Sequence, residues 1–165
     1  MADTQAQFAL QRVYLKDSSF EVPGAPKVFL QTWNPEVNID LATAHQILED
    51  GKHYEVQLAI TVTAKNEGNT AFLVEVKQAG IFQIEGVAEA DLGSLLGAYC
   101  PNVLFSFARE AISDLVGKGS FPQLLLQPVN FDALYADSLR RKNDTSAEGA
   151  ESVDTAPDAD TTRPQ

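Results

Sequence analysis

Eleven consecutive residues, Tyr54 to Ala64, alternate between two chemistries, with Tyr54, Val56, Leu58, Ile60 and Val62 set against Glu55, Gln57, Ala59, Thr61 and Thr63. A strand repeats every two residues, so the run commits one sheet face to a core and leaves the other to water. Asn66-Glu67-Gly68-Asn69 follows, made of residues that tolerate positive φ. Thr70 to Ile84 then resumes the alternation, Phe72, Val74 and Val76 against Ala71, Leu73, Glu75 and Lys77. These features predict a long antiparallel hairpin with one apolar and one polar face. Bringing Phe72 and Val74 onto the face of Val62 requires an odd-length loop, which predicts a three-residue connection with a bulge.

Upstream, Phe8 and Leu10 keep step while Val13 and Tyr14 fall out of it, which predicts an extended segment carrying a bulge. Lys16 to Phe29 contains Pro23 and Pro26 and reads as an irregular surface excursion. Pro35 to Leu41 alternates Val37, Ile39 and Leu41 with Glu36, Asn38 and Asp40 and predicts a short half-buried strand. Ala42 to Gly51 fits either a helical turn or a connecting loop.

Beyond Gly86 the period becomes helical. Asp91 to Leu96 predicts a short helix, and Pro101 suits the first turn of a longer one that Gly117 and Gly119 close. Along that helix Ser106, Arg109, Glu110, Ser113 and Asp114 form a narrow polar stripe. The apolar remainder, which includes Phe107, is wider than one sheet face covers, so the helix is either central in a small core or also buried against another subunit. Pro122 to Pro128 crosses over in an extended apolar run. Asn130 then caps a last helix with Phe131, Leu134, Tyr135 and Leu139 on one face and Arg140, Arg141 and Lys142 at its end. Met1 to Gln7 reads as a flexible start, residues 8 to 142 as one domain, and 143 to 165 as an acidic disordered tail.

Charge narrows the partners. Twelve lysines and arginines face 23 aspartates and glutamates, a net charge of −11. The tail's six acids and one arginine supply five of those negative charges, which leaves −6 on the body. Such a surface repels phosphate backbones and anionic lipid, so neither nucleic acid nor direct membrane insertion is expected. No apolar run approaches the ~20 residues of a membrane span, and Met1 to Gln7 lacks the pattern of an export leader, so a cytoplasmic protein is expected.

Catalytic and metal chemistry find little to build on. His45 and His53 read as solvent-exposed bystanders. Cys100, the only cysteine, precedes Pro101 at a helix start and reads as a packing residue. Gly117-Lys118-Gly119-Ser120 has the letters of a phosphate loop but follows a helix and lacks the earlier glycine. No catalytic residue, metal or cofactor is expected. One group differs: Leu73 and Glu75 on the polar hairpin face, with Asp17 and Glu21 upstream, read either as ordinary surface or as a docking patch for a basic partner.

Four stretches, Phe20-Glu-Val-Pro-Gly-Ala-Pro26, Thr70-Ala-Phe-Leu-Val-Glu-Val76, Leu96-Gly-Ala-Tyr-Cys-Pro-Asn102 and Phe121-Pro-Gln to Pro128-Val-Asn-Phe-Asp-Ala-Leu134, resemble the SecB family of bacterial protein-export chaperones over roughly residues 8 to 140. The resemblance implies an α+β fold, a four-stranded antiparallel sheet with helices on one face, assembled as a dimer of dimers. It implies a homotetrameric holdase that binds non-native precursor polypeptides without ATP and delivers them to the motor ATPase SecA, whose basic zinc-bearing C-terminal segment docks on the acidic face. The matching docking residues are Asp17, Glu21, Leu73 and Glu75, and Val74, Val76 and Gln78 fall near packing and assembly contacts with Cys100 and Phe107. Val74 departs from the cysteine that some relatives carry there. Phe20, Phe29, Trp33, Tyr54 and Leu124 are candidates for the client groove, with core packing an equal reading of Phe29 and Trp33. The alternative within this class is a SecB-like chaperone that controls a toxin–antitoxin system.

Overall fold

The alternation read at Tyr54 to Ala64 becomes the centre of a four-stranded antiparallel sheet. The computed structural model describes residues 5–150, with side chains through 146. Strand β1 (Gln7–Glu21) leads through one 3-10 turn (Lys27–Leu30) to β2 (Glu36–Ile47), β3 (His53–Asn66) and β4 (Asn69–Glu85). Helix α1 (Glu89–Ser94) continues through a π-helical turn (Leu95–Tyr99) into α2 (Cys100–Lys118), and α3 (Phe131–Ala150) follows an extended crossover. The strand order is β1-β4-β3-β2, so β3 and β4 are central while β1 and β2 are edges.

Val56, Leu58, Ile60 and Val62 of β3 and Val74, Val76 and Phe82 of β4 are fully buried, as the period-two pattern requires. They pack beneath α2, which buries Cys100, Leu104, Ala108, Ile112 and Val116 against them. Each of these side chains contributes on the order of 1.5–3 kcal/mol by leaving water, Ala108 and Cys100 less.

Several local expectations need correction. The hairpin turn is the two-residue Glu67–Gly68 pair, both at positive φ, the geometry that matches strand twist. The odd residue sits further along: Ala64 faces Phe72 and Lys65 faces Thr70, so Ala71 is the extra one. Lys16 to Glu21, read as irregular, is strand, because register shifts at Leu10/Arg12 and Leu15/Asp17 break the alternation twice without ending the pairing. Ala42 to Ile47, which fitted a helical turn or loop, completes β2. That strand is largely exposed rather than half-buried, since it is an edge. The last helix runs past Asn143 to Ala150, as an established helix propagates more easily than it nucleates; residues 151–165 of the expected tail lie outside the described residues, as do residues 1–4 of the expected flexible start. Asn130 caps α3 as expected, its Oδ1 accepting the Ala133 N–H at 3.0 Å.

Candidate functional site

The polar face of the sheet gathers the acidic residues. Across the β1–β4 ladder Glu21 faces Leu73, Ser19 faces Glu75 and Asp17 faces Lys77. Side chains two apart on a strand share a face and lie about 7 Å from each other, so Asp17, Glu21, Leu73 and Glu75 occupy one patch on the side away from the helices. Leu73 and Glu75 are half-buried, Asp17 and Glu21 exposed. Among the described residues none of the three carboxylates is paired with a cation.

The neighbouring lysine is occupied elsewhere. Lys16 Nζ lies 2.7 Å from Glu55 Oε1, and Tyr14 OH donates to the other Glu55 oxygen. The Lys16 hydrogen bond, then the Tyr14 bond, hold the Glu55 carboxyl below the usual carboxylate range. Burial, with Glu55 adding to it, pushes the Tyr14 phenol up to about 12. This network joins β1 to β3 over residues 39 and 41 positions apart, and only the polar alternation of Glu55 hinted at it.

On the helix side, three groove candidates converge. Trp33 packs on Phe121 and Phe72, with ring centroids 5.2 and 6.4 Å apart. Phe20 meets Phe72 at 5.9 Å, and Phe29 meets Phe121 at 5.3 Å. Phe72 and Phe121 are buried, whereas Phe29 is 48% exposed and Phe20 and Trp33 are half-buried, so the cluster is both core and surface. Sequence reasoning missed Phe121, whose place after α2 brings it under the loop of Trp33. Tyr54 does not join them: it faces Ile47 and Phe82, about 30 Å further along the sheet. Leu124 instead lines a separate apolar groove of about 490 Å³ with Val37, Ile39, Leu41 and Phe105. Leu125 lines that groove and also the open cleft bounded by Phe121 and the polar stripe of α2.

The expected assembly residues divide. Val74, Val76 and Cys100 are fully buried and Gln78 nearly so, all within one chain, the three β4 residues on the sheet face under α2 and Cys100 at the start of α2 itself, so their side chains offer no surface to a second copy. Burial alone pushes the Cys100 thiol up to about 12. Phe107, 46% exposed, lies four residues beyond Val103 and eight beyond exposed Tyr99 on one side of the helix. Tyr99 meets Phe8 edge-on at 5.2 Å, and Leu10 and Leu15 of β1 are also exposed. His53 Nδ1 contacts Asp50, whose carboxylate also accepts the N–H groups of Lys52 and His53, while His45 stands exposed on β2. Among the described residues no cluster of His, Cys, Asp or Glu is placed to hold a metal, and no helix is long and apolar enough to cross a membrane.

An acidic sheet face backed by a partly exposed aromatic cluster and an apolar groove suits a protein that binds other polypeptides. A family model described as preprotein translocase subunit SecB matches residues 1–142. The protein-export protein SecB of Alcanivorax borkumensis is 54% identical over 156 residues, 93% of this chain and 99% of its own. That of Nitrosococcus oceani is 56% identical over 145 residues, 87% of this chain and 88% of its own. A SecB-like chaperone of Mycobacterium tuberculosis, solved with a peptide from an antitoxin, shares the fold with a TM-score of 0.63 at 17% identity, covering 74% of this chain and 90% of its own. The class is that of protein-export chaperones. The chain belongs to the SecB family.

Proposed function

We propose that this export chaperone is an ATP-independent holdase of the cytoplasm that keeps precursor polypeptides unfolded and hands them to the SecA motor. Unfolded chains share exposed apolar side chains and unsatisfied backbone groups, which an aromatic and branched lining recognises without catalysis. Phe20, Phe29 and Trp33 form one such lining and Leu124 belongs to another; several weak sites on one assembly raise the effective concentration for a long client. The exposed apolar surface of Phe8, Leu10, Leu15, Tyr99 and Phe107 supports a homotetramer in which a second copy covers it. The controlling observation for handover is the patch of Asp17, Glu21, Leu73 and Glu75, whose carboxylates form no ion pair among the described residues and which suits a cationic segment such as the zinc-bearing C-terminus of SecA. Relatives named for protein export at 54–56% identity favour this role over control of a toxin–antitoxin system.

The test separates the faces. Glu75→Lys is expected to weaken binding of the SecA C-terminal segment roughly tenfold, about 1.4 kcal/mol, while leaving suppression of client aggregation intact in the absence of nucleotide. The same variant should sediment as a tetramer at micromolar concentration. Equal loss of segment and client binding would reject two separate sites, and a monomer would contradict the assembly.

A further inference from the structure

Among the described residues only two polar side chains are buried in the core, Asn66 and Gln78, and Asn66 is 2% exposed. Burying an amide costs stability unless its hydrogen bonds are replaced, so where those bonds go reveals what the residue does. All of them go to one segment. Asn66 Oδ1 accepts the Asn34 backbone N–H at 2.9 Å, and its Nδ2 donates to the Thr32 carbonyl at 3.1 Å and to Gln31 Oε1 at 3.4 Å. The two backbone bonds bracket Trp33. Residues 32 to 35 have no helix or strand of their own, whereas Asn66 ends β3 opposite Asn69, at a tight turn. A fixed point of the sheet therefore grips an irregular loop on both sides of its tryptophan.

We infer that Asn66 is the positioning residue that sets the Trp33 indole against Phe72 and Phe121, and so fixes the aromatic client surface before a client arrives. The inference rests on the reading of Trp33 as part of the client groove. A loop that had to order on binding would subtract that entropy from every client's affinity; a loop already held does not. The amide alone can do this here. An aspartate would still accept the Asn34 N–H but would turn a carboxylate oxygen toward the Thr32 carbonyl, and an alanine would leave both backbone groups without their link to the sheet.

Trp33 is the chain's only tryptophan, so its fluorescence reports this loop directly. The experiment compares the full-length wild type with Asn66→Ala, Asn66→Asp and Trp33→Ala, measuring acrylamide quenching and binding of a permanently unfolded, carboxymethylated polypeptide. Both Asn66 variants are expected to quench about twofold more readily and to bind the polypeptide roughly tenfold more weakly, with docking of the SecA C-terminal segment unchanged. Unchanged quenching in a folded variant would overturn the inference. So would a freed indole with full client affinity, provided Trp33→Ala binds poorly. If Trp33→Ala itself keeps full affinity, the groove reading fails instead, while the quenching result still decides whether Asn66 holds the loop. Failure of both Asn66 variants to fold would make the amide a scaffold residue and also overturn the proposal.

Discussion

Glu55 was legible only as a polar position on an alternating strand; its partners Lys16 and Tyr14 lie on another strand and could be found only once β1 was paired. The pairing matters for the proposed docking patch, because Lys16 adjoins Asp17 and would otherwise join Lys77 as a second cation beside the acids. Glu55→Gln is expected to release Lys16 and weaken binding of a cationic segment about threefold at low salt, an effect that added salt erases. The same change should bring the Tyr14 phenol down from about 12, as seen by ultraviolet absorbance in an alkaline titration. The sign follows from linkage: a phenol raised on folding supports the native state below the unfolded value near 10, and that support is lost as pH rises toward 12. A variant whose phenol still titrated near 12 would show that burial alone, not Glu55, sets the shift. Asn66 was harder to read, since an asparagine beside a turn ordinarily signals only the turn.

At the scale of elements, β3 and β4 could be read from the chain because β3 alternates strictly, β4 largely does so from Phe72 onward, and both are central. Strand β1 could not be read in full, as its two register shifts each move the apolar positions to the other parity. The far half of β2, Ala42 to Ile47, carries little apolar pattern because an edge strand buries little. The end of α3 was missed for a different reason: polar composition predicts disorder in isolation, but the helix is already nucleated by docked residues. That docking is narrow. A Cβ added at Gly97 would lie 2.5 Å from the Tyr135 ring, and one at Gly93 would lie 2.5 Å from its hydroxyl. Propensity alone favours alanine over glycine in a helix by about 1 kcal/mol. Gly97→Ala should nonetheless destabilise α3 docking by roughly 1–3 kcal/mol through overlap, read as faster amide exchange across 131–142. Adding Tyr135→Ala should remove the penalty of the glycine change; a full penalty in both backgrounds would place the strain elsewhere.

The whole molecule is a sheet with opposed chemistries, an arrangement already implied by the period-two alternation of Tyr54 to Ala64 and Thr70 to Ile84. Half of the acidic patch was legible, because strand parity alone puts Leu73 with Glu75; that Asp17 and Glu21 share their face follows only from the β1–β4 pairing. The aromatic site was legible only in part. Phe20, Phe29 and Trp33 meet because Phe72 of β4 and Phe121 after α2 bring distant segments together, and no local pattern marks that meeting. Tyr54 shares their chemistry but lies at the far end of the sheet. Phe8, Tyr99 and Phe107 stay exposed on the single chain and are the surface that the proposed homotetramer would cover.

Receiving the motor and holding a client are expected to be compatible at the same moment, because helices and sheet separate the two proposed surfaces. Titrating the carboxymethylated client into the chaperone, with and without saturating SecA C-terminal segment, measures this directly. Client affinity unchanged within about twofold, with both ligands in one sedimenting complex, is the predicted result; mutual displacement of client and segment would contradict it.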